Sequence, residues 1–429
     1  MIEQPAFGRR LRQLRVQRGL SQTELAGDEV SASYVSRVES GRRSPNELIA
    51  AFFARRLEVS LEVLTDPTSH DDAGHRSRRL DIAGRLLDAR DLRKDRDLSD
   101  AAELLRGIGA AAAGHAEEDV LWEATWELAE VLRELGDTAE EHTVLTRLSE
   151  ASLSQETPRL GARVATALSD NLRRQGRLGE AVRAAEHAVS VTVTLPPTAH
   201  GRVSAMLALI HAYTDSGEPA NAAGLADTFE EIAGDIPSRQ LRGQVYWAAG
   251  SARFHGGRPA DGVRLHEQAF ACLRPDANLA DWARLRRASA ALRLEHDLSD
   301  SATEHAERLL ARARQALDLV GSEDDRAHLM LAEAQLALRQ GKPERVLELT
   351  AEACGSGAEL QLAGRGECHL LAARAHALAG DTAAARDCFR LAAETLDRAG
   401  AYRKSSEAWR QLSDLLTAGP GDGPAAATD

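Results

Sequence analysis

The stretch Ser31–Ser40, SASYVSRVES, combines small hydroxyl side chains with a single arginine. Read as a helix capped by Ser31 and stopped by Gly41, it turns Val35 and Val38 inward. Ala32, Ser33, Tyr34, Ser36 and Arg37 are then left outward. A guanidinium such as that of Arg37 can pair bidentately with guanine in the major groove. The hydroxyls of Ser33 and Ser36 are short enough to read bases at close range or through water. Tyr34 has two readings: contact with a phosphate or thymine methyl, or packing against the preceding helix. Arg42 and Arg43, directly after Gly41, suit phosphate neutralisation.

The flanking sequence supplies elements that could hold such a helix. Phe7, Leu11 and Leu14 share one helical face, with Gly19 just past its end. Ser21 caps a second helix, Gln22 to Gly27, with Glu24 as capping-box partner and Leu25 and Ala26 inward. Gly27-Asp28-Glu29-Val30 makes a turn. Pro45 opens a fourth helix, Asn46 to Leu57, with Leu48, Ile49, Phe52 and Leu57 at helical spacing. Ser60 caps a short fifth helix bearing Leu61 and Leu64. Five short helices in about 60 residues, the second and third joined by a tight turn, describe a helix-turn-helix.

This stretch resembles the lambda-repressor-like (Xre-type) DNA-binding domain. The residues that carry the likeness are Gly19-Leu20-Ser21-Gln22, Glu24-Leu25-Ala26, Val35-Ser36-Arg37-Val38-Glu39, Gly41-Arg42-Arg43 and Pro45. The resemblance implies double-stranded DNA as partner and a phosphate contact from Gln22, made with the adjacent helix N-terminus. It also implies a partly buried, structural ion pair between Arg15 and Glu39. The turn from Ala26 to Val30 is one residue shorter than the family's usual pattern, which blurs residue-by-residue transfer near Asp28.

Charge is distributed to match. The net charge is −13, yet residues 1–65 hold ten Arg against eight Asp or Glu, so the head carries +2 and the remainder −15. An acidic remainder repels DNA and confines contact to the head. Aromatics are 4% and charged residues 28%, with Ala, Leu, Arg and Glu dominant, which favours helices over sheet. Cys272, Cys354, Cys368 and Cys388 form no C-x-x-C pair and read as small buried hydrophobes of a reducing cytosol. The expected location is cytoplasmic, with no membrane span and no targeting segment.

The expected domains are 1–65, the helix-turn-helix domain; 66–77, a polar linker containing Pro67 and Gly74; 78–417, a helical-repeat domain; and 418–429, a disordered tail. Within the long segment, turn signals recur near Asp95, at Gly136, Gly176, Gly217 and Gly257, near Asp297, and at Gly341 and Gly380. The interval is about 40 residues, once nearer 44, which signals stacked helical hairpins. Small or apolar residues recur five, nine and twelve places after each turn, as in Ala181, Ala185 and Ala188; Ala222, Ala226 and Phe229; and Ala385, Phe389 and Ala392. That register matches the second helix of a tetratricopeptide (TPR) unit. The expected fold is all-α: a five-helix DNA-binding domain, then a TPR-like right-handed solenoid of about eight hairpins and a terminal helix around Arg403–Leu416.

This arrangement resembles the RRNPP family of peptide-pheromone receptors and similar helix-turn-helix/TPR regulators. The resemblance implies a transcriptional regulator whose solenoid dimerises and binds a short peptide in its concave groove. Counting back from the turns, groove positions fall on Trp126 and Glu130, Asp170 and Arg173, His211, Trp247 and Ser251, and Arg284 and Arg287. Aromatics offer apolar contact, while Arg and Asp can hold peptide termini or backbone amides. A competing reading has the tryptophans filling gaps between hairpins and the body recruiting a protein or serving dimerisation only. The expected partners are therefore a palindromic DNA operator, a second copy of the chain, and a peptide or other small effector.

No catalytic residue, cofactor or metal site is expected. H-E-x-x-H, P-loop and G-x-S-x-G motifs are missing, and the fourteen His show no metal-site spacing. Gly107-Ile108-Gly109 through Gly114 distantly suggests a dinucleotide loop, but it lacks a correctly spaced third glycine and a preceding strand. It reads instead as a small-residue helix.

Overall fold

The computed structural model describes residues 4–65, 69–112, 118–296, 299–355, 360 and 362–417, with backbone alone at 69–78 and 110–112. The tail 418–429 and the turn at 297 lie outside the described residues. All elements are helical, and the chain divides into two compact units, Met1–Ala124 and Thr125–Asp429.

The first unit opens with five short helices: α1 (Ala6–Gln17), α2 (Gln22–Ala26), α3 (Ala32–Glu39), α4 (Glu47–Arg56) and α5 (Leu61–Thr65). Phe7 and Leu11 of α1, Leu25 of α2, Val35 and Val38 of α3, Phe53 of α4, Leu57 and Leu64 are fully buried in one core. Side-chain caps set the helix starts. Ser21 and Glu24 form the expected capping box, Ser31 accepts from the Tyr34 amide, and Asn46 accepts from the Ile49 amide. Close approach fixes α1 against α3: a Cβ on Gly8 would lie 2.1 Å from the Val38 carbonyl oxygen.

The inward face of α4 differs from expectation. Ala50, Phe53, Ala54 and Leu57 are buried, Ile49 and Phe52 are half-buried, and Leu48 is 80% exposed. The i, i+3, i+4, i+7 stripe that begins at Ala50 decides this, because Leu48 falls in the first turn outside it.

The same unit continues with α6 (Ser69–Lys94) and α7 (Leu98–Ala112). Helix α6 begins inside the expected linker, so residues 69–77 are helical, while 66–68 lie outside the described residues. No proline intervenes between Pro67 and Pro158 to interrupt the helix. Gly107 and Gly109 lie within α7, in helix rather than in a phosphate-binding loop. The boundary between the two units falls within α8 (Glu118–Leu135).

Stacked hairpins make up the second unit. Helix α9 (Thr138–Glu150) follows α8, and a short α10 (Ser152–Glu156) comes next. Then come α11 (Pro158–Arg174) with α12 (Leu178–Val191), α13 (His200–Asp215) with α14 (Pro219–Ile232), and α15 (Arg239–His255) with α16 (Pro259–Cys272). After them stand α17 (Leu279–His296) with α18 (Asp300–Val320), α19 (Glu323–Arg339) with α20 (Pro343–Gly355), α21 (Leu362–Leu378) with α22 (Thr382–Arg398), and the terminal α23 (Tyr402–Thr417). The longer interval near 44 has its cause in α18, which runs for 21 residues.

Each described turn glycine that the spacing singles out, from Gly136 to Gly380, has positive φ, and Arg96 takes the same conformation beside Asp95. The hydrogen bonds explain why. In the α11–α12 hairpin, the Gly176 amide donates to the Arg173 carbonyl and the Arg177 amide to Leu172, closing the helix end. The expected small residues of the second helices are buried, including Ala181, Ala185 and Ala188. Contacts then run between successive first helices, α11 on α13, α13 on α15, α15 on α17, α17 on α19 and α19 on α21. Among the described residues no two successive second helices make comparable contact, so the stack is tighter, and concave, on the first-helix side. No helix among the described residues is long and apolar enough to cross a membrane.

Candidate nucleic-acid interface and groove

On the head, Ser33, Ser36 and Arg37 are exposed along one side of α3, with Ala32 half-buried at its start. Arg37 Nε donates to the Ser33 carbonyl oxygen at 3.3 Å, which lays its guanidinium along the helix. The Ser31 hydroxyl accepts the cap bond, 3.1 Å from the Tyr34 amide, and keeps its own proton to donate. Tyr34 packs partly onto the head core, and the Arg43 guanidinium lies 4.9 Å from its ring centre. Arg42 and Arg43 are both exposed. Three cations and three serine hydroxyls thus share the neighbourhood of one helix.

Behind α3 sits the expected ion pair. Arg15 Nε donates to Glu39 Oε1 at 2.6 Å and Arg15 Nη2 to Oε2 at 3.1 Å. Both side chains are nearly buried, and the hydrogen bond from Arg15 to Glu39 raises the arginine's pKa. Gln22 Nε2 donates to the same Glu39 Oε2 at 2.8 Å. Glu39 therefore ties α1, α2 and α3 together and fixes the Gln22 amide at the start of α2.

The groove residues divide into two groups. Arg173 bridges Asp170 at 3.1 Å and Asp215 at 2.7 Å, joining α11 to α13. His211 stands among these three, and burial followed by the Arg173 charge pulls its pKa down to about 4, so it is neutral at pH 7. Arg284 pairs with Asp325 of α19 through two hydrogen bonds of 2.8 Å. Arg173, His211 and Arg287 are enclosed by the body yet keep accessible surface, as expected of side chains lining a concavity.

Trp247 and Ser251 require a correction. Trp247 packs on Ala269, Leu273 and Leu285, where the small Ala269 leaves room between α16 and α17 for the indole. The Ser251 hydroxyl turns to His266 Nε2 of α16 at 3.3 Å. Both are committed to packing between helices. Trp126 is half-buried, with the exposed Arg163 guanidinium of α11 4.9 Å from its ring centre, and Glu130 pairs with Arg133 at 2.7 Å. Arg173 with Asp170 and Asp215, and Arg284 with Asp325, make charged pairs the main polar feature of this face.

Counting from turns misses several groove residues. Asp215 stands only two places before Gly217, and Glu295 precedes a turn marked by no glycine. Lys404, in α23, follows the last hairpin and has no turn beyond it to count from. Farther along lies a cavity of about 410 Å³, lined by Leu294, Leu338, Leu370 and Leu371 together with Glu295, Glu367, Arg374 and Lys404. Among the described residues no cluster of His, Cys, Asp or Glu could hold a metal ion.

Residues 6–66 match a helix-turn-helix domain family. No curated protein matches the chain. Among solved structures, the crystal structure of a Rap protein complexed with competence and sporulation factor is 13% identical, covering 78% of this chain and 97% of that one, with a TM-score of 0.51. Apo NprR, a quorum sensor from B. thuringiensis, is 11% identical, covers 79% of this chain and 99% of its own, and has a TM-score of 0.45. Bacillus thuringiensis PlcR, in complex with the peptide PapR7 and DNA, is 14% identical, with coverages of 73% and 95% and a TM-score of 0.32. The Rap likeness is one of fold. The chain is an all-helical protein with a helix-turn-helix domain at its head and a TPR-like body.

Proposed function

We propose that this chain is a sequence-specific DNA-binding transcriptional regulator, controlled by a peptide or other small ligand in the concave groove of its body. The exposed side of α3 carries the reading: Arg37 stands beside the exposed Ser33 and Ser36 on a helix held rigid by the Glu39 network. In this role α3 enters the major groove, Arg37 and the serines face base edges, and Gln22, Arg42 and Arg43 meet phosphates. The Rap protein that shares the body's fold was crystallised with competence and sporulation factor, which supports a ligand in the groove. The packing of Trp247 on the core favours a second reading, in which the body recruits a protein or only dimerises.

Selection from random duplexes, followed by binding measurements at fixed salt, tests the proposal. Arg37→Ala is expected to weaken the preferred site by about 1–3 kcal/mol and relax one base position. Gln22→Ala should weaken all sequences alike. Unchanged affinity of Arg37→Ala for the selected site would remove α3 as the reading helix.

A further inference from the structure

The inward face of α17 carries two arginines with opposite circumstances. Arg284 is held bidentately by Asp325. Arg287, one turn on, makes no hydrogen bond and no ion pair among the described residues, and its Nε is shut away from water. The adjacent Arg286 also lacks an Nε partner, but its Nη1 donates to the Trp282 carbonyl at 2.9 Å and its face stacks on Trp282 and Phe270. Arg287 has no such compensation.

The acids around Arg287 are all engaged elsewhere. Asp325 is taken by Arg284 and by the Ser322 amide and hydroxyl. Asp324 sits 3.3 Å from His328 Nδ1, and Glu367 accepts from Lys404. Enclosure and the loss of water pull the Arg287 pKa down, yet an arginine stays charged. Arg287 is thus a half-buried charge whose Nε is shut from water and which no carboxylate bonds directly, a position suited to an anion from outside the chain.

We propose that Arg287 anchors a carboxylate of the groove ligand, either the C-terminal carboxylate of a short peptide or an acidic side chain within it. This rests on the groove-ligand reading above. The planar guanidinium fork matches a carboxylate in two parallel hydrogen bonds. Leu294, at the wall of the 410 Å³ cavity, lies two helical turns farther along α17. That separation is about 10 Å, or roughly three residues of extended chain. The ligand class is therefore a peptide with an apolar side chain about three residues from the carboxylate that Arg287 holds.

Two measurements on the full-length protein test this. Without ligand, Arg287→Met should raise Tm by about 2–4 °C, because it removes an unpaired charge. Arg284→Met, which strands Asp325, should lower it. A fall in Tm with Arg287→Met would overturn the proposal, since it would show a structural partner. The second measurement uses random hexapeptide pools, C-terminal acid or amide, each with or without Asp and Glu, followed by thermal shift. A pool bearing carboxylates should raise wild-type Tm. Affinity should fall about ten-fold or more with Arg287→Met and less with Arg287→Lys. A response to acid pools lacking Asp and Glu identifies the terminal carboxylate, and one to amide pools with Asp and Glu identifies the side chain. If carboxylate-free pools act equally well and Arg287→Met binds them unchanged, the anchor is refuted and the groove ligand stands. If no pool shifts Tm, both are overturned.

Discussion

His266 shows how a single buried side chain sets a pH limit. It is fully buried, with Nε2 3.3 Å from both the Ser251 hydroxyl and the Trp247 carbonyl oxygen, and with no partner for Nδ1 among the described residues. Burial, then the nearby Arg293 charge, pushes its pKa down to about 3. The unfolded chain takes up the proton near pH 6.5, while the folded chain resists it until far lower. Its contribution is therefore complete above pH 6.5 and is lost as pH falls toward 3. The loss is on the order of a few kcal/mol. Urea melts at pH 7.5 and 4.5 should show the decline, and His266→Gln should flatten part of it. An equal pH slope in the variant would mean that other groups carry the effect. His211, with its pKa near 4, acts in the same direction.

At the scale of the element, the hairpin turn is the repeated device. Gly217 has φ +76° and nothing within 4 Å of an added Cβ, so alanine there meets backbone strain alone. Gly217→Ala should cost about 1 kcal/mol. Gly176 has φ +73°, and an added Cβ would also lie 3.3 Å from the Ala399 carbonyl oxygen. Thermal melts should therefore rank Gly176→Ala below Gly217→Ala. Equal losses would show that the Ala399 backbone yields freely. The same contact shows the curl of the second unit: the α11–α12 turn meets the α22–α23 turn across more than 200 residues of sequence.

For the whole molecule, the division of charge matters most. A head of +2 has few cations with which to hold DNA, and a remainder of −15 opposes it. One small head also offers few base contacts. Two linked heads on a palindromic site raise avidity without any new contact. The chain is therefore expected to sediment as a homodimer at micromolar concentration, with and without its selected DNA site. A monomer under both conditions would contradict this, and a dimer only on DNA would place the association on the operator.

Residue order alone determined the elements that depend on near neighbours. Ser21 with Glu24, Ser31 with the Tyr34 amide, and Gly176 with the Leu172–Arg173 carbonyls all act within a few residues, so their chemistry is written locally. The register of Ala181, Ala185 and Ala188 follows for the same reason, as does the helix-turn-helix pattern. Tertiary structure alone decided what a side chain meets from a distant helix. Leu48 could not be told from Ala50 by spacing, because the axial rotation of α4 is set by the rest of the core. Trp247 went to a gap left by Ala269, and Ser251 to His266. Arg284 found Asp325 across 41 residues while Arg287, three residues along, found no partner among the described residues. Nothing in the spacing of two like charges on one helix says which will be compensated, since the answer lies with the carboxylates of other repeats.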